Sequence, residues 1–416
     1  MPGARDRPPR AQRRVGRRHR AGTPAHHPAS APAAGARRVG IRHGRRRRGR
    51  RRRGPLSRVG ERHVGAFAAI GAWPGVLARL VAGEDLPADV ASAALDRILA
   101  GEATDAQIAG FLIGLRAKGE APDEVAGLVE AMLAAASPLE LDDPAATVDI
   151  VGTGGSAALG GQAFNVSTMA SIVAAAAGAT VCKHGNRKAS STSGSTDLLE
   201  ALGVEVDLDG PGVQACVREA GVGFAFARMF HPAMRHVGPV RTELGVPTVF
   251  NLLGPLSHPG RVRRQVLGVT NAAHVDLVAG VLARRGVLRA WVVRGSDGLD
   301  ELTTTDATDV IELIDGVEVR RFRVTPEELG LRRATTTDIA VGDPEANAAA
   351  ATSVLQGRSG PVRDMVVLNA AAALVVADVA TDLADGLERA ARAVDSGEAA
   401  RTLGELVAVS RAVRGD

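Results

Sequence analysis

Cysteine, lysine and long apolar runs are all scarce in this chain, and each shortage removes a class of protein. The two cysteines, Cys182 and Cys216, are too few for a disulfide framework or a CxxC metal site, so a reducing, cytoplasmic setting is expected. No apolar stretch reaches the roughly 18 residues of a membrane helix; the best, Met365 to Ala377, is short and interrupted by Asn369. Lysine supplies three of the 51 basic residues, an arginine bias that suggests a GC-rich coding sequence. What remains is a globular composition. The chain has 416 residues, 45% hydrophobic and 23% charged, near the averages of soluble domains and enough for two or three domains.

The net charge of +5 conceals two opposite halves. Residues 1–62 hold 21 Arg against Asp6 and Glu61, a net of +19; the other 354 residues hold 30 basic and 44 acidic groups, a net of −14. The basic segment has no apolar periodicity from which a core could be built, so residues 1–65 are expected to be a disordered Arg-rich extension, of the kind an over-extended start produces. Its run Arg45 to Arg53, broken only by Gly49, suits phosphate contacts, and a nucleic-acid partner is expected only there. A transit peptide needs more serine than Ser30 and Ser57 supply.

Residues 66–140 carry helix patterning. Leu86, Val90, Ala94, Ile98 and Leu99 form one stripe that stops at Gly101. Thr104 and Gln107 form a capping box for the next helix, with Ile108, Leu112 and Leu115 on its inner face, and Pro122 opens a third. The style changes near residue 141. Strands are predicted at Val148–Val151, Thr180–Lys183, Val222–Ala225, Gln265–Val269 and Leu288–Val293. They alternate with helices at Met169–Ala177, Ser195–Leu202, Pro211–Ala220, Met234–Leu244 and His274–Arg285. Such alternation implies an α/β domain over 141–416 with a mainly parallel sheet, beside a small N-terminal helical domain. The middle helices are available to pack on the helical part. A ligand site belongs at the carboxyl ends of the strands.

Four loops at those ends carry chemistry. Gly152-Thr-Gly-Gly-Ser156 follows the first strand and reads either as a turn or as a phosphate cradle of backbone N–H groups. A dinucleotide fingerprint fails there, because the next acid, Asp197, is too distant for a ribose contact. Asn165-Val-Ser-Thr168 suits either a helix cap or an anion at a helix N-terminus. Lys183-His-Gly-Asn-Arg187, followed by Ser190-Ser-Thr-Ser-Gly-Ser195, puts a rare lysine among hydroxyl donors and favours polyphosphate. In Gly295-Ser-Asp-Gly-Leu-Asp-Glu301, Asp300 and Glu301 are hard oxygen ligands suited to Mg²⁺ once they face a phosphate cradle. Arg241, in Val240-Arg-Thr-Glu243, is by itself one surface cation among many.

In this order, GTGG, NVST, KHGNRKASSTSGSTDLLEALG, FHPAMRHVGPVRTELGVPTVFNLLGPLSHP and GSDGLDELTTT resemble the anthranilate phosphoribosyltransferase family. The resemblance runs from about Trp73 to the C-terminus. It implies transfer of the phosphoribosyl group of phosphoribosyl pyrophosphate to anthranilate in tryptophan biosynthesis, by a homodimer that uses Mg²⁺. It further implies that phosphoribosyl pyrophosphate is held by Gly152, Gly155, Ser156, Asn165, Val166, Ser167 and Thr168 from the first two loops. Lys183, His184, Gly185, Asn186, Arg187, Lys188, Ala189, Ser190, Ser191 and Ser195 complete that set. Gly152, Asn186 and Arg241 would hold anthranilate, and Ser167, Asp300 and Glu301 the metal. No acid or base is assigned, because a neutral aniline nitrogen needs none.

The chain departs from the family pattern where GTGGD and TFN are usual: Ser156 replaces the acid, Ala163 the threonine, and the loop between them is longer. An altered substrate is the corresponding alternative. A pyrimidine nucleoside phosphorylase should read KHS rather than KHGN, and a non-catalytic nucleic-acid-binding relative should lack the pair Asn186 and Arg241. Deletion of residues 1–62 is expected to leave melting temperature and turnover unchanged, and a large loss of either in a thermal melt or rate assay contradicts the extension's reading as dispensable.

Overall fold

The computed structural model describes residues 65–415 apart from 155–158, 161 and 188–193. The Arg-rich extension and the expected site residues Gly155, Ser156, Lys188, Ala189, Ser190 and Ser191 lie outside the described residues.

Four helices come first: α1 (Ala72–Val81), α2 (Ala88–Leu99), α3 (Asp105–Lys118) and α4 (Pro122–Ala134). The predicted stripe is buried throughout, from Leu86 to Leu99, and Gly101 takes the positive φ of 76° that lets the chain leave α2. At the next N-terminus the Thr104 N–H donates to Gln107 Oε1 at 2.9 Å while the Gln107 N–H donates to Thr104 Oγ1 at 3.3 Å, the reciprocal box expected from the spacing. Helices α2 and α4 cross almost backbone to backbone, since a Cβ on Gly127 would stand 2.1 Å from the Ala88 carbonyl oxygen.

The remaining elements build one mixed sheet. Strands β1 (Thr147–Gly152), β2 (Thr180–Gly185), β3 (Val222–Phe226), β4 (Arg264–Gly268) and β5 (Arg289–Gly295) are parallel. β6 (Thr308–Ile314) and β7 (Val317–Val324) continue it antiparallel, in the order β3-β2-β1-β4-β5-β6-β7. The order reverses direction at β1, so the crevice between the β1 and β4 loops is a topological switch point. Like the helices that follow it, the β6–β7 hairpin lies beyond the predicted set. Its two-residue turn, Asp315-Gly316, has φ of 50° and 73°, the left-handed pair a tight hairpin requires.

Helices α5 (Val166–Ala176), α6 (Ser195–Ala201), α7 (Gly210–Ala220), α8 (Gly238–Leu244), α9 (Phe250–Leu256) and α10 (Val275–Arg284) connect the strands. After the hairpin and a single helical turn at Thr336–Ile339 come four longer helices: α11 (Pro344–Leu355), α12 (Pro361–Val376), α13 (Leu383–Asp395) and α14 (Glu398–Arg414). The predicted helix Met234–Leu244 is in fact two pieces, a 3₁₀ turn over Pro232–His236 and then α8. Pro239, lacking an N–H, sits in the first turn of the second piece. One face of the sheet packs on α5, α7, α12 and α14 through Met169, Val213, Leu368 and Leu406. The other joins the helical part in a continuous core that runs from Trp73 and Phe111 through Phe250 and Leu253 to Leu267 and Val292. No helix among the described residues is long and apolar enough to cross a membrane.

Candidate active site at the strand ends

Four of the parallel strands end in glycine, at Gly152, Gly185, Gly268 and Gly295. The reason is spatial, and at two of them the acid segment itself fills the space. A Cβ on Gly268 would lie 1.5 Å from the Asp300 carbonyl oxygen, and one on Gly152 would lie 2.1 Å from Asp300 Oδ2. The segment that carries the acid pair therefore lies directly across the carboxyl ends of β1 and β4, where only bare backbone leaves room.

That segment is tied down by side chains of its own. Asp297 accepts from the Leu299 N–H at 3.0 Å and from the Thr303 hydroxyl at 2.6 Å, and from the Thr305 hydroxyl as well. Behind it Asn369 of α12 accepts from the Leu302 N–H at 3.0 Å and donates to the Leu302 carbonyl at 2.8 Å. Buried at 2% exposure, Asn369 acts as a two-way clamp on the backbone just past Glu301.

The acids meet two anion-binding features of the fold. Asp300 Oδ2 accepts from the Gly154 N–H at 2.6 Å, and the Ser167 backbone, in the first turn of α5, donates to Glu301. Burial drives the Glu301 carboxyl well above its ordinary range, and the neighbouring Asp300 charge pushes in the same direction; Lys183 and the Ser167 donor oppose them. Two carboxylates crowded in this way favour either a shared proton or a cation.

Lys183 approaches from below. It is 3% exposed, its Nζ donates to the Ile150 carbonyl of β1, and burial lowers its pKa against the pull of Asp149, Glu301 and Asp300. Beneath it Asp149 joins three strands: Oδ1 accepts from the His184 N–H of β2 at 3.0 Å and Oδ2 from Gln265 Nε2 of β4 at 3.0 Å. Gln265 also donates to the Pro255 carbonyl at 2.8 Å, which anchors α9 against the floor of the site.

A cavity of ≈ 330 Å³ opens over this floor. Gly152, Asn165, Val166, Ser167, Lys183, His184, Gly185, Asn186, Arg187, Ser195, Arg241, Asp300 and Glu301 all line it, so the structure brings the describable part of the predicted set to one place. Thr168 stands behind the lining, with its hydroxyl buried and unpartnered. The Asn165 side chain does not cap α5. Its Nδ2 donates to Asn347 Oδ1 at 3.1 Å, as does its backbone N–H, and Asn347 in turn donates to the Gly342 and Asp343 carbonyls, each at 3.2 Å. Ala163 forms an isolated bridge with Ala340, which fixes the far end of the altered loop.

The cationic groups divide by role. The Arg187 guanidinium is engaged by Glu200 and Asp197 and lies over the Phe226 ring, so what it offers the cavity is mainly backbone. Arg241, by contrast, has no carboxylate partner among the described residues; it lies over Phe250 at 5.3 Å and donates to Asn251 Oδ1 at 3.4 Å. Burial lowers its pKa, and a guanidinium in that state favours a bound carboxylate. Sequence reasoning missed the positioning residues Asp149, Gln265, Asn347, Asn369 and Asp297. Isolated polar residues inside apolar helices and strands, Asn369 above all, were the available signal.

Under the cavity His184, His231 and His258 form a buried cluster, with ring centroids 5.3 Å and 5.7 Å from His184 to the other two. His231 Nε2 lies 3.1 Å from the Ser257 carbonyl and donates to it as the neutral tautomer.

Comparison with known proteins follows the same outline. The sequence profile of the glycosyl transferase family, a/b domain, matches residues 144–400, and that of its helical bundle domain matches residues 74–136. The anthranilate phosphoribosyltransferase of Beijerinckia indica is 52% identical over 334 residues, covering 80% of this chain and 96% of the relative. That of an Arthrobacter species is 51% identical over 352 residues, covering 83% and 98%. Among solved structures, anthranilate phosphoribosyltransferase from Thermus thermophilus aligns with a TM-score of 0.75 at 43% identity, covering 81% of this chain and 99% of the other. The Saccharomyces cerevisiae enzyme in complex with PRPP and Mg aligns with a TM-score of 0.71 at 28% identity, covering 84% and 98%.

Burial holds the His231 pKa down at about 4, with the His258 charge acting the same way. A histidine whose folded pKa is depressed favours folding while neutral. This contribution is therefore complete above the unfolded value near 6.5 and is lost as pH falls toward about 4, by up to about 3 kcal/mol. Urea midpoints should fall between pH 7 and pH 5, and fall less steeply in His231→Asn; equal slopes would show that His231 is not the titrating group.

Proposed function

The chain belongs to the glycosyl transferase family and, within it, to the anthranilate phosphoribosyltransferases, and we propose that its strand-end cleft holds phosphoribosyl pyrophosphate beside anthranilate. The reaction transfers the phosphoribosyl group to the anthranilate nitrogen with release of pyrophosphate, a step of tryptophan biosynthesis. The observation that carries the assignment to this cleft is the juxtaposition of Arg241, which has no carboxylate partner among the described residues, with a glycine-lined loop and a buried acid pair in one cavity.

Phosphoribosyl pyrophosphate is a polyanion and needs N–H donors. Gly152, Asn165, Val166, Ser167 and the Lys183–Arg187 and Ser195 segments supply them, Ser167 from the N-terminus of α5. In the structure Asp300 and Glu301 occupy the Gly154 and Ser167 donors themselves. Substrate phosphates entering the cradle take over those donors and leave the carboxylates to a cation. Mg²⁺ fits this donor set: two hard carboxylates and the Ser167 hydroxyl, with no larger group of His, Cys, Asp or Glu suited to a metal among the described residues. Such a sparse protein set suits an ion that keeps waters and takes its remaining ligands from phosphates. When bound, Mg²⁺ neutralises charge on the departing pyrophosphate.

The chain's own residues do the positioning. Arg241 and Asn186 orient anthranilate by its carboxylate, so that the amine faces the anomeric carbon. Lys183, held in a low-dielectric floor, stabilises negative charge as it collects on the leaving oxygens. The nitrogen's lone pair is available without deprotonation, which is why the cleft needs no general base. The reading includes a homodimer, for which the exposed Val81 and Ile113 give the helical part apolar surface. It also includes a cytoplasmic location, which free, buried Cys182 and Cys216 support.

A coupled assay with purified protein should detect phosphoribosyl anthranilate, with activity lost in EDTA. In Arg241→Ala the anthranilate KM should rise about 10- to 100-fold, the worth of a charged hydrogen-bond pair, while the KM for phosphoribosyl pyrophosphate stays within about twofold. Equal rises in both KM values would make Arg241 a structural residue and remove the carboxylate assignment.

A further inference from the structure

At the opposite end of the sheet, where β4 and β5 begin, a second cavity of ≈ 410 Å³ opens between α4 and the turn after α10. Its walls carry four guanidiniums, from Arg261, Arg263, Arg284 and Arg285, against one carboxylate, that of Glu130. Arg284 is neutralised by Asp123. Arg261 and Arg263 donate to the Leu133 carbonyl at 3.3 Å and the Gly286 carbonyl at 2.9 Å. Those contacts orient the two groups and leave their charge uncompensated.

Arg285 is the telling residue. Its side chain has no hydrogen bond or ion pair among the described residues, and burial pulls its pKa down to about 10, with Arg261 adding to the effect and only Asp149 opposing it. Arg261 and Arg263 are exposed and Arg285 is half-buried, so water and salt screen part of their mutual repulsion. Three cations without a carboxylate partner among the described residues, gathered at one cavity, favour an anion that can replace water there.

We propose that this cavity is a binding site for a phosphate group, separate from the strand-end cleft. Several guanidiniums at one cavity match the several acceptor oxygens of a tetrahedral dianion, and each planar fork can bind two of them. The volume lies within the range of small-molecule sites, so the phosphate of a small ester fits as well as the free ion. The occupant would tie the loop before β4 to the turn after α10, far from the chemistry. This inference stands on the cavity alone and is independent of what the cleft binds.

Crystals of the full chain soaked in tungstate, an anomalous phosphate mimic, should show a peak within hydrogen-bond reach of Arg285 and Arg261. The absence of a peak there, with the cleft occupied or empty, overturns the proposal. In solution, equilibrium titration with inorganic phosphate should lose one site per chain in Arg285→Met and in Arg261→Met, while turnover is kept. Unchanged stoichiometry in both variants overturns it equally. Ribose 5-phosphate, titrated beside inorganic phosphate, separates the two sources: an Arg285-dependent site that is tighter for the ester identifies a sugar phosphate, and one that is tighter for the ion identifies free phosphate. Failure of either to depend on Arg285 counts against the site.

Discussion

Everything at the active end of this molecule depends on the backbone of Asp300 passing over the ends of β1 and β4. A single methyl on Gly268 would meet the Asp300 carbonyl at 1.5 Å, so the acid pair can sit above the sheet only because the strands beneath end without side chains. That approach places Asp300 on the Gly154 amide and Glu301 on the first turn of α5. The glycines thus make room for the acid loop, and under the proposed reading their bare amides also face a phosphate.

The floor must be rigid for such close approach to persist, and the polar interior supplies that rigidity. Asp149 reaches β2 and β4 from β1, Gln265 extends the tie to α9, and Lys183 returns to the Ile150 carbonyl. Asn347 and Asn369 hold the Asn165 segment and the acid loop from α11 and α12 without lining the cavity themselves. Each amide is nearly or wholly buried and uses both its donor and its acceptor, so losing one would leave several backbone groups without partners.

Much of this was legible in the sequence, for reasons that differ by element. The capping box at Thr104 and the stop at Gly101 are local, so their chemistry could be read from neighbours alone. The parallel strands and the loops at their ends followed from alternation, and the resemblance supplied the proposed roles of Lys183, Asp300 and Arg241. The β6–β7 hairpin was missed although Asp315-Gly316 is a tight-turn signal, because the flanking strands are rich in arginine and glutamate and the outer one is largely exposed. Asn369 was read only as an interruption of an apolar run, because its partner, Leu302, is 67 residues away. The engagement of Arg187 by Glu200 likewise arises from the fold and not from spacing.

The direct test is kinetic analysis of Gly268→Ala, which adds one methyl under the acid loop and removes no ligand. Displacement of Asp300 and Glu301 should lower kcat by about 100-fold, the cost of a misplacement near 1 Å. The magnesium concentration for half-maximal rate should rise with it, while the circular dichroism spectrum stays native. A variant that keeps native turnover and magnesium dependence would contradict the dependence of the site on that backbone crossing.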